Sequence, residues 1–237
     1  MRCQRKYSGF TLVEMSIVLV IIGLIVGGVI VGKDLVQTAR LQKIASEVNQ
    51  IRTAVNLFVG QYDALPGDIE NAYDYWGANC ASTAGGCNGN GDGVINEGNP
   101  AYEYESYMSW RHLNLANIYP GNYTGFYLPI STAALGVNVP EASIKGAGYM
   151  ITNESLRNVI WIGKIADRRT LGRIVTPTEA QSLDKKMDDG SPINGNVRGR
   201  TGFGSSILQG YYTASYGSPP NVYRVWDPDP IADSPFL

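Results

Sequence analysis

The chain has 237 residues, of which 28 are Gly and only 17% are charged, with a formal net charge of −2. Gly at about 12% exceeds the usual ~7%, and charge falls short of the usual ~25%. A balance this close to neutral argues against a nucleic-acid-binding surface, which needs a basic excess. A single histidine excludes mechanisms built on two imidazoles and metal sites rich in that residue. The length suits one or two ordinary domains with a real core.

Residues 1–9 carry Arg2, Arg5 and Lys6 and no acid. Phe10 to Gly32 then holds one charge, Glu14, in 23 residues. At ~1.5 Å per residue such a helix is about 35 Å long, enough to cross a ~30 Å hydrocarbon layer. A secretory signal peptide has an apolar core of only ~7–15 residues before its cleavage site. This run is longer and leads directly into an amphipathic stretch, so it reads as a retained membrane span. The basic start then stays cytoplasmic, and the remaining ~200 residues cross the membrane. Glu14 is the anomaly, because a carboxylate in hydrocarbon needs a partner or a route to the interface. Two readings stand side by side: snorkelling about one turn beyond Phe10, or a salt bridge to a positive group on another chain.

Ser8-Gly9-Phe10-Thr11-Leu12-Val13-Glu14 and the apolar run behind it resemble the cleavage and methylation signal of type IV prepilins and pseudopilins. The resemblance covers roughly residues 1–60. It implies that a prepilin peptidase cuts between Gly9 and Phe10, that the new amine is N-methylated, and that Glu14 pairs with the terminal amine of a neighbouring subunit. It implies a pilin-like α+β fold, with a long amino-terminal helix packed on an antiparallel sheet and a loop-rich exported domain. The expected divisions are a leader at 1–9, a membrane helix at 10–32, its amphipathic continuation at 33–62, and an exported domain at 63–237. Many members of the family have a helix-kinking proline near position 31, where this chain has Val31. Gly23, Gly27, Gly28 and Gly32 loosen the helix instead, each by ~1 kcal/mol relative to Ala.

Leu41, Ile44, Val48, Ile51, Val55 and Phe58 recur at helical spacing, with Lys43, Glu47 and Arg52 among the polar positions. No proline precedes Pro66, so one helix can run from about Phe10 to Tyr62. The stripe reads as a face packed on the chain's own domain; a coiled coil with another subunit is the alternative.

Removing the leader also removes Cys3 and leaves 16 basic against 21 acidic residues, a net of −5. Cys80 and Cys87 are then an even pair in an exported chain, and they suggest one disulfide closing a short loop, with free buried thiols as the alternative. Asn88-Gly89-Asn90-Gly91-Asp92-Gly93-Val94-Ile95 follows. Its alternating oxygen-bearing side chains, with Gly at the sixth position and an apolar residue at the eighth, match the first half of a calcium loop. Asn88, Asn90 and Asp92, with the carbonyl of Val94, are the candidate ligands, and Glu97, Glu103 or Glu105 would close the shell. The match is incomplete, since Asn99 stands where a bidentate Glu is usual. The affinity expected is the extracellular ~10⁻⁴–10⁻³ M class. A solvated Asn-Gly turn cluster is the other reading.

Glu105 to Ile118 reads as a helix with Tyr107, Trp110 and Leu113 on one face. His112 lies within it and lacks any sequence-near partner for a catalytic relay. Tyr123–Ile130, Ala147–Thr152 and Asn158–Ile165 read as strands, and Asn153-Glu154 as the start of a hairpin connection. Thr176-Pro177-Thr178-Glu179 is a capping box opening a helix over Pro177–Asp189, with Gly190 as its stop. Asp188 and Asp189 read as a solvated helix end. Val222–Trp226 reads as a last strand. Leu65-Pro66-Gly67-Asp68 and the Thr176–Gly190 stretch look like segments of longer prepilin-type proteins, with no chemistry attached to them.

No enzyme constellation is present in the sequence. The resemblance implies a structural subunit of a type IV pilus-like filament or type II secretion pseudopilus, with other pilin subunits, the prepilin peptidase and the inner-membrane assembly machinery as partners. The alternative is a low-abundance tip pilin that binds a surface, DNA or cargo.

Overall fold

The computed structural model describes residue 9 and residues 11–96, 105–126, 133–154, 157–166, 169–172, 174–191, 195–201 and 223–227. It divides into two compact units, Met1–Arg40 and Leu41–Leu237. Helix α1 runs Leu12–Tyr62. Among the described residues it is the one helix long and apolar enough to cross a bilayer. None of its residues before Leu41 is buried. From Leu41 onward the expected stripe is buried without exception: Leu41, Ile44, Val48, Ile51, Val55 and Phe58 all lie in the core. The stripe therefore packs on its own domain, and Ala54 joins it. Each fully buried side chain of this size contributes about 1.5–3 kcal/mol.

Beyond α1 come α2 (Ala72–Trp76), two single 3₁₀ turns at Gly77–Asn79 and Ala84–Gly86, and α3 (Glu105–Leu115). The sheet follows, with β1 (Ala147–Glu154), β2 (Arg157–Ala166) and β3 (Arg169–Gly172); then α4 (Pro177–Met187), β4 (Arg198–Thr201) and β5 (Tyr223–Asp227). All pairings are antiparallel. The order is β1-β2-β5-β4, and β3 also pairs with β2. β1 and β2 align in unbroken register from Ala147–Lys164 to Glu154–Arg157. The burial of β2 is continuous from Asn158 to Gly163, where an alternating strand would show one wet face.

Several boundaries differ from expectation. α3 stops at Leu115, α4 at Met187, and α1 begins at Leu12. Residues 123–126 of the expected strand Tyr123–Ile130 are not in a strand, and 127–130 lie outside the described residues. The tight turn at Gly125 (φ +69°) sits against Arg111 and Met108 of α3 and interrupts any pleat there. β3, β4 and α2 were not expected: two are four residues long and one five, too short for a periodic pattern to register.

Glu47 fastens α1 to the sheet side of its unit. Its Oε2 accepts from the Ser143 N–H (3.1 Å), the Ser143 hydroxyl (3.0 Å) and the Tyr149 hydroxyl (2.8 Å). Burial, with the nearby Glu47 charge, pushes the Tyr149 phenol well up. The capping box of α4 forms as read: Glu179 N–H donates to Thr176 Oγ1 (3.3 Å), and Thr176 N–H donates to Glu179 Oε2 (2.7 Å).

Cys80 and Cys87 are joined in a disulfide with Cα atoms 5.6 Å apart, and both are buried in the core. Replacing both with Ser is expected to lower unfolding free energy by about 2–4 kcal/mol, read from denaturant titration of the full chain under non-reducing conditions.

Candidate functional site

At the amino terminus Gly9 is exposed, and Phe10 lies outside the described residues. Thr11 and Glu14 form a reciprocal cap. The Thr11 N–H and hydroxyl donate to Glu14 Oε2 (2.7 and 2.8 Å), and the Glu14 N–H donates to Thr11 Oγ1 (3.2 Å). This is the Thr-x-x-Glu box that opens many helices. Two backbone donors of the first turn, otherwise without partners, are thereby satisfied. The Thr-x-x-Glu spacing that makes this cap is local in the sequence.

The loop expected to hold calcium is built differently from an open ligand cage. Asn88 Oδ1 accepts from the Tyr73 N–H (2.8 Å). Asn90 Oδ1 accepts from the Asp92 N–H (3.0 Å), and Asp92 Oδ1 from the Val94 N–H (2.8 Å), two successive Asx turns. The Val94 carbonyl accepts from Asn96 Nδ2 (3.4 Å). Glu105, at the start of α3, is buried, and its two oxygens take the backbone N–H groups of Asn90 (3.3 Å) and Asn96 (2.7 Å). The structure thus brings Asn90, Asp92 and Glu105 to one loop and turns Asn88 away toward α2. Glu97 and Glu103 lie outside the described residues.

A second buried carboxylate, Asp68, completes the arrangement and was not singled out from sequence. Its Oδ1 accepts from the Gly91 N–H and its Oδ2 from the Gly93 N–H, both at 2.8 Å. Gly91 needs its left-handed backbone (φ +72°) to present that N–H, and a Cβ there would meet the Glu70 side chain at 2.5 Å. Asn158 of β2 closes the other side, accepting from the Ile95 N–H and donating to the Gly93 carbonyl, each at 2.8 Å. The partners lie 23 to 65 residues away along the chain, so no local pattern announces them.

Burial pushes the Asp68 carboxyl up to about 6 and the Glu105 carboxyl up to about 7, against the lowering effect of the backbone N–H groups they accept. Neighbouring acids add to the rise, Asp92 on both groups and Asp68 on Glu105.

His112 ties this region together from below. Its Nδ1 accepts from the Gly67 N–H (2.9 Å) and its Nε2 donates to the Cys87 carbonyl (3.0 Å), which fixes the neutral tautomer. Phe58 stacks on the imidazole at 6.2 Å and Trp76 approaches at 5.1 Å. Burial pushes its pKa down to about 3, with the Cys87 carbonyl opposing and Arg111 assisting. Gly67 (φ +93°) has no room for a side chain, since a Cβ would lie 2.3 Å from the Glu105 carbonyl oxygen. Both ring nitrogens are committed and the side chain is fully buried, so His112 serves as a core histidine and is not placed to act as a general base.

Two further clusters bring ligand-type atoms within 4.8 Å. Cys80, Cys87 and His112 form one, but the sulfurs are in a disulfide. Asp184, Asp188 and Asp189 form the other, and their oxygens cap backbone: Gly190 N–H on Asp184 (3.0 Å), Ser191 N–H on Asp189 (2.7 Å), and Asn196 and Val197 N–H on Asp188. Asp189 is exposed, as a solvated helix end requires, while Asp188 is half-buried and Asp184, one turn earlier, is buried.

Residues 4–30 match the family model described as the prokaryotic N-terminal methylation motif. No curated protein and no solved structure matches the chain. The chain therefore carries a prepilin-type signal at the head of a pilin-like α+β fold. The match ends within the apolar part of α1, the one described helix long and apolar enough to cross a membrane.

The raised carboxyl values set a pH dependence with a definite sign. Folded Asp68 and Glu105 bind protons at higher pH than the unfolded chain, so their contribution is full below the ordinary carboxylate range and is lost as pH rises through about 6 and about 7. His112 acts oppositely, contributing above ~6.5 and losing that contribution as pH falls toward about 3. In EDTA, the denaturation midpoint is expected to fall from pH 5 to pH 8, and Glu105→Gln to flatten that fall.

Proposed function

We propose that the chain is a structural subunit of a type IV pilus-like filament or a type II secretion pseudopilus. The observation that carries this reading is the methylation motif over residues 4–30, running directly into an apolar helix long enough to span a bilayer. The subunit waits in the bacterial inner membrane with its amino terminus cytoplasmic, and the assembly machinery draws it into a fibre with other pilin subunits. The prepilin peptidase cuts between Gly9 and Phe10. The new amine at Phe10 is then a cation in apolar surroundings, and Glu14 of the adjoining subunit neutralises it.

Removing one member of such a pair leaves an unpaired buried charge and costs about 3–5 kcal/mol. Glu14→Ala is accordingly expected to be cleaved normally yet to yield few fibres in sheared preparations; a normal yield would remove the pairing role. Mass spectrometry of the native product should find N-methylated Phe10 at the start, and an intact Met1 would overturn the reading as a whole.

A tip-located minor pilin is the second reading, favoured by Val31 in place of a helix proline and by the long exported domain. Copy number separates the two, since a main subunit dominates purified fibres. We also propose a structural calcium ion at the Asn88–Glu105 region. Asn90, Asp92 and the Val94 carbonyl supply suitable hard oxygens, and Glu105 would have to exchange a backbone partner for the ion. Millimolar Ca²⁺ is then expected to raise the melting temperature above its value in EDTA; equal values would dismiss the ion.

A further inference from the structure

A groove of about 620 Å³ opens where α1 ends, lined among others by Tyr62, Asp63, Asp68, Glu70, Tyr75 and Asp92. Four of these six are acids, and no basic side chain among the described residues lines the groove. Nothing nearby in sequence offsets them, because the chain has eight acids and no Lys, Arg or His between Arg52 and Arg111. Among the described residues, no Lys or Arg forms an ion pair with Asp63, Asp68, Glu70 or Asp92.

The end of α1 breaks a local rule in the same direction. Its last turn has no basic residue, and Asp63 follows it with φ +55°. Helix carboxyl ends carry the negative pole of the dipole, which favours a cation and disfavours a carboxylate. An acid in a left-handed conformation at that pole is a local conflict of the kind found at functional positions. Beside it the rings of Tyr62 and Tyr75 meet edge to face at 5.2 Å, and Tyr75 is 53% exposed. Aromatic faces attract cations, and a guanidinium also stacks on them.

We propose that this groove binds an arginine- or lysine-bearing segment of a partner protein, with the cationic head held by the Tyr62 and Tyr75 rings and the carboxylates of Asp63 and Glu70. The volume lies in the ~300–1,000 Å³ range of ligand clefts and holds a short stretch of chain. A bare divalent ion would gain nothing from the phenol rings and needs converging oxygens. Among the described residues, no three acids of this groove bring their oxygens within 4.8 Å of one another. An anionic or purely apolar occupant is excluded by the four carboxylates. The inference does not depend on the filament reading, since it concerns this surface alone.

The test is an amide NMR titration of the full ¹⁵N-labelled chain in detergent micelles and EDTA, using a capped Gly-Arg-Arg-Gly peptide and its Gly-Gln-Gln-Gly counterpart. The arginine peptide is expected to shift the resonances of residues 62–70 and 91–93 saturably, and the glutamine peptide to leave them in place. Glu70→Gln combined with Tyr75→Ala should weaken that binding at least fivefold, while Tyr75→Phe preserves it. Both sites are exposed, and an unchanged amide spectrum elsewhere verifies that the variants fold. No saturable shift, or equal shifts from both peptides, would each overturn the proposal.

Discussion

One continuous helix has to satisfy two kinds of surroundings, and the change falls at Leu41. Ahead of it the apolar residues of α1 find no cover among the described residues; behind it the same backbone presents a one-sided stripe that is buried. An all-round apolar helix left in water would expose far more grease than a soluble monomer tolerates. The amino-terminal half therefore calls for lipid or for copies of itself, and the chemistry of a prepilin-type signal agrees with both. The buried half meets the carboxyl-terminal unit through the stripe itself and through Glu47, one oxygen of which accepts from three donors.

The second organising constraint is polar. Asp68, Glu105 and His112 are all buried, and none is left without partners. Their partners are mostly backbone groups of the loops at 65–68 and 87–96, which lack regular structure to satisfy them internally. A fold short of secondary structure in this region thus uses interior side chains as substitutes for a ladder. The disulfide limits how far the same loops can open. Such a network is stable only when complete, because a single unmet charge or N–H in the interior is expensive.

Legibility followed the range of the interactions. The stripe from Leu41 to Phe58, the box at Thr176 and the pairing of Cys80 with Cys87 rest on periodicity, local spacing or simple thiol counting, and each was readable; the hairpin was not placed as well, since Asn153 and Glu154, read as the start of its connection, belong to β1 and pair with Asn158 and Arg157. The role of Asp68 was not, because Leu65-Pro66-Gly67-Asp68 looks like any turn until a loop more than twenty residues on is laid across it. Asn158 was likewise hidden, appearing only as the first polar residue of a strand. Glu14 joins both ranges: its cap with Thr11 follows a local Thr-x-x-Glu spacing, while the proposed pairing with another chain lies beyond a single subunit.

That small cap at the head of α1 gives Glu14 two donors of its own, the Thr11 N–H and hydroxyl. Under the proposed pairing, a neighbour's ammonium has to share the carboxylate with Thr11 or draw it away, so the first turn of the helix and the next subunit compete for one group.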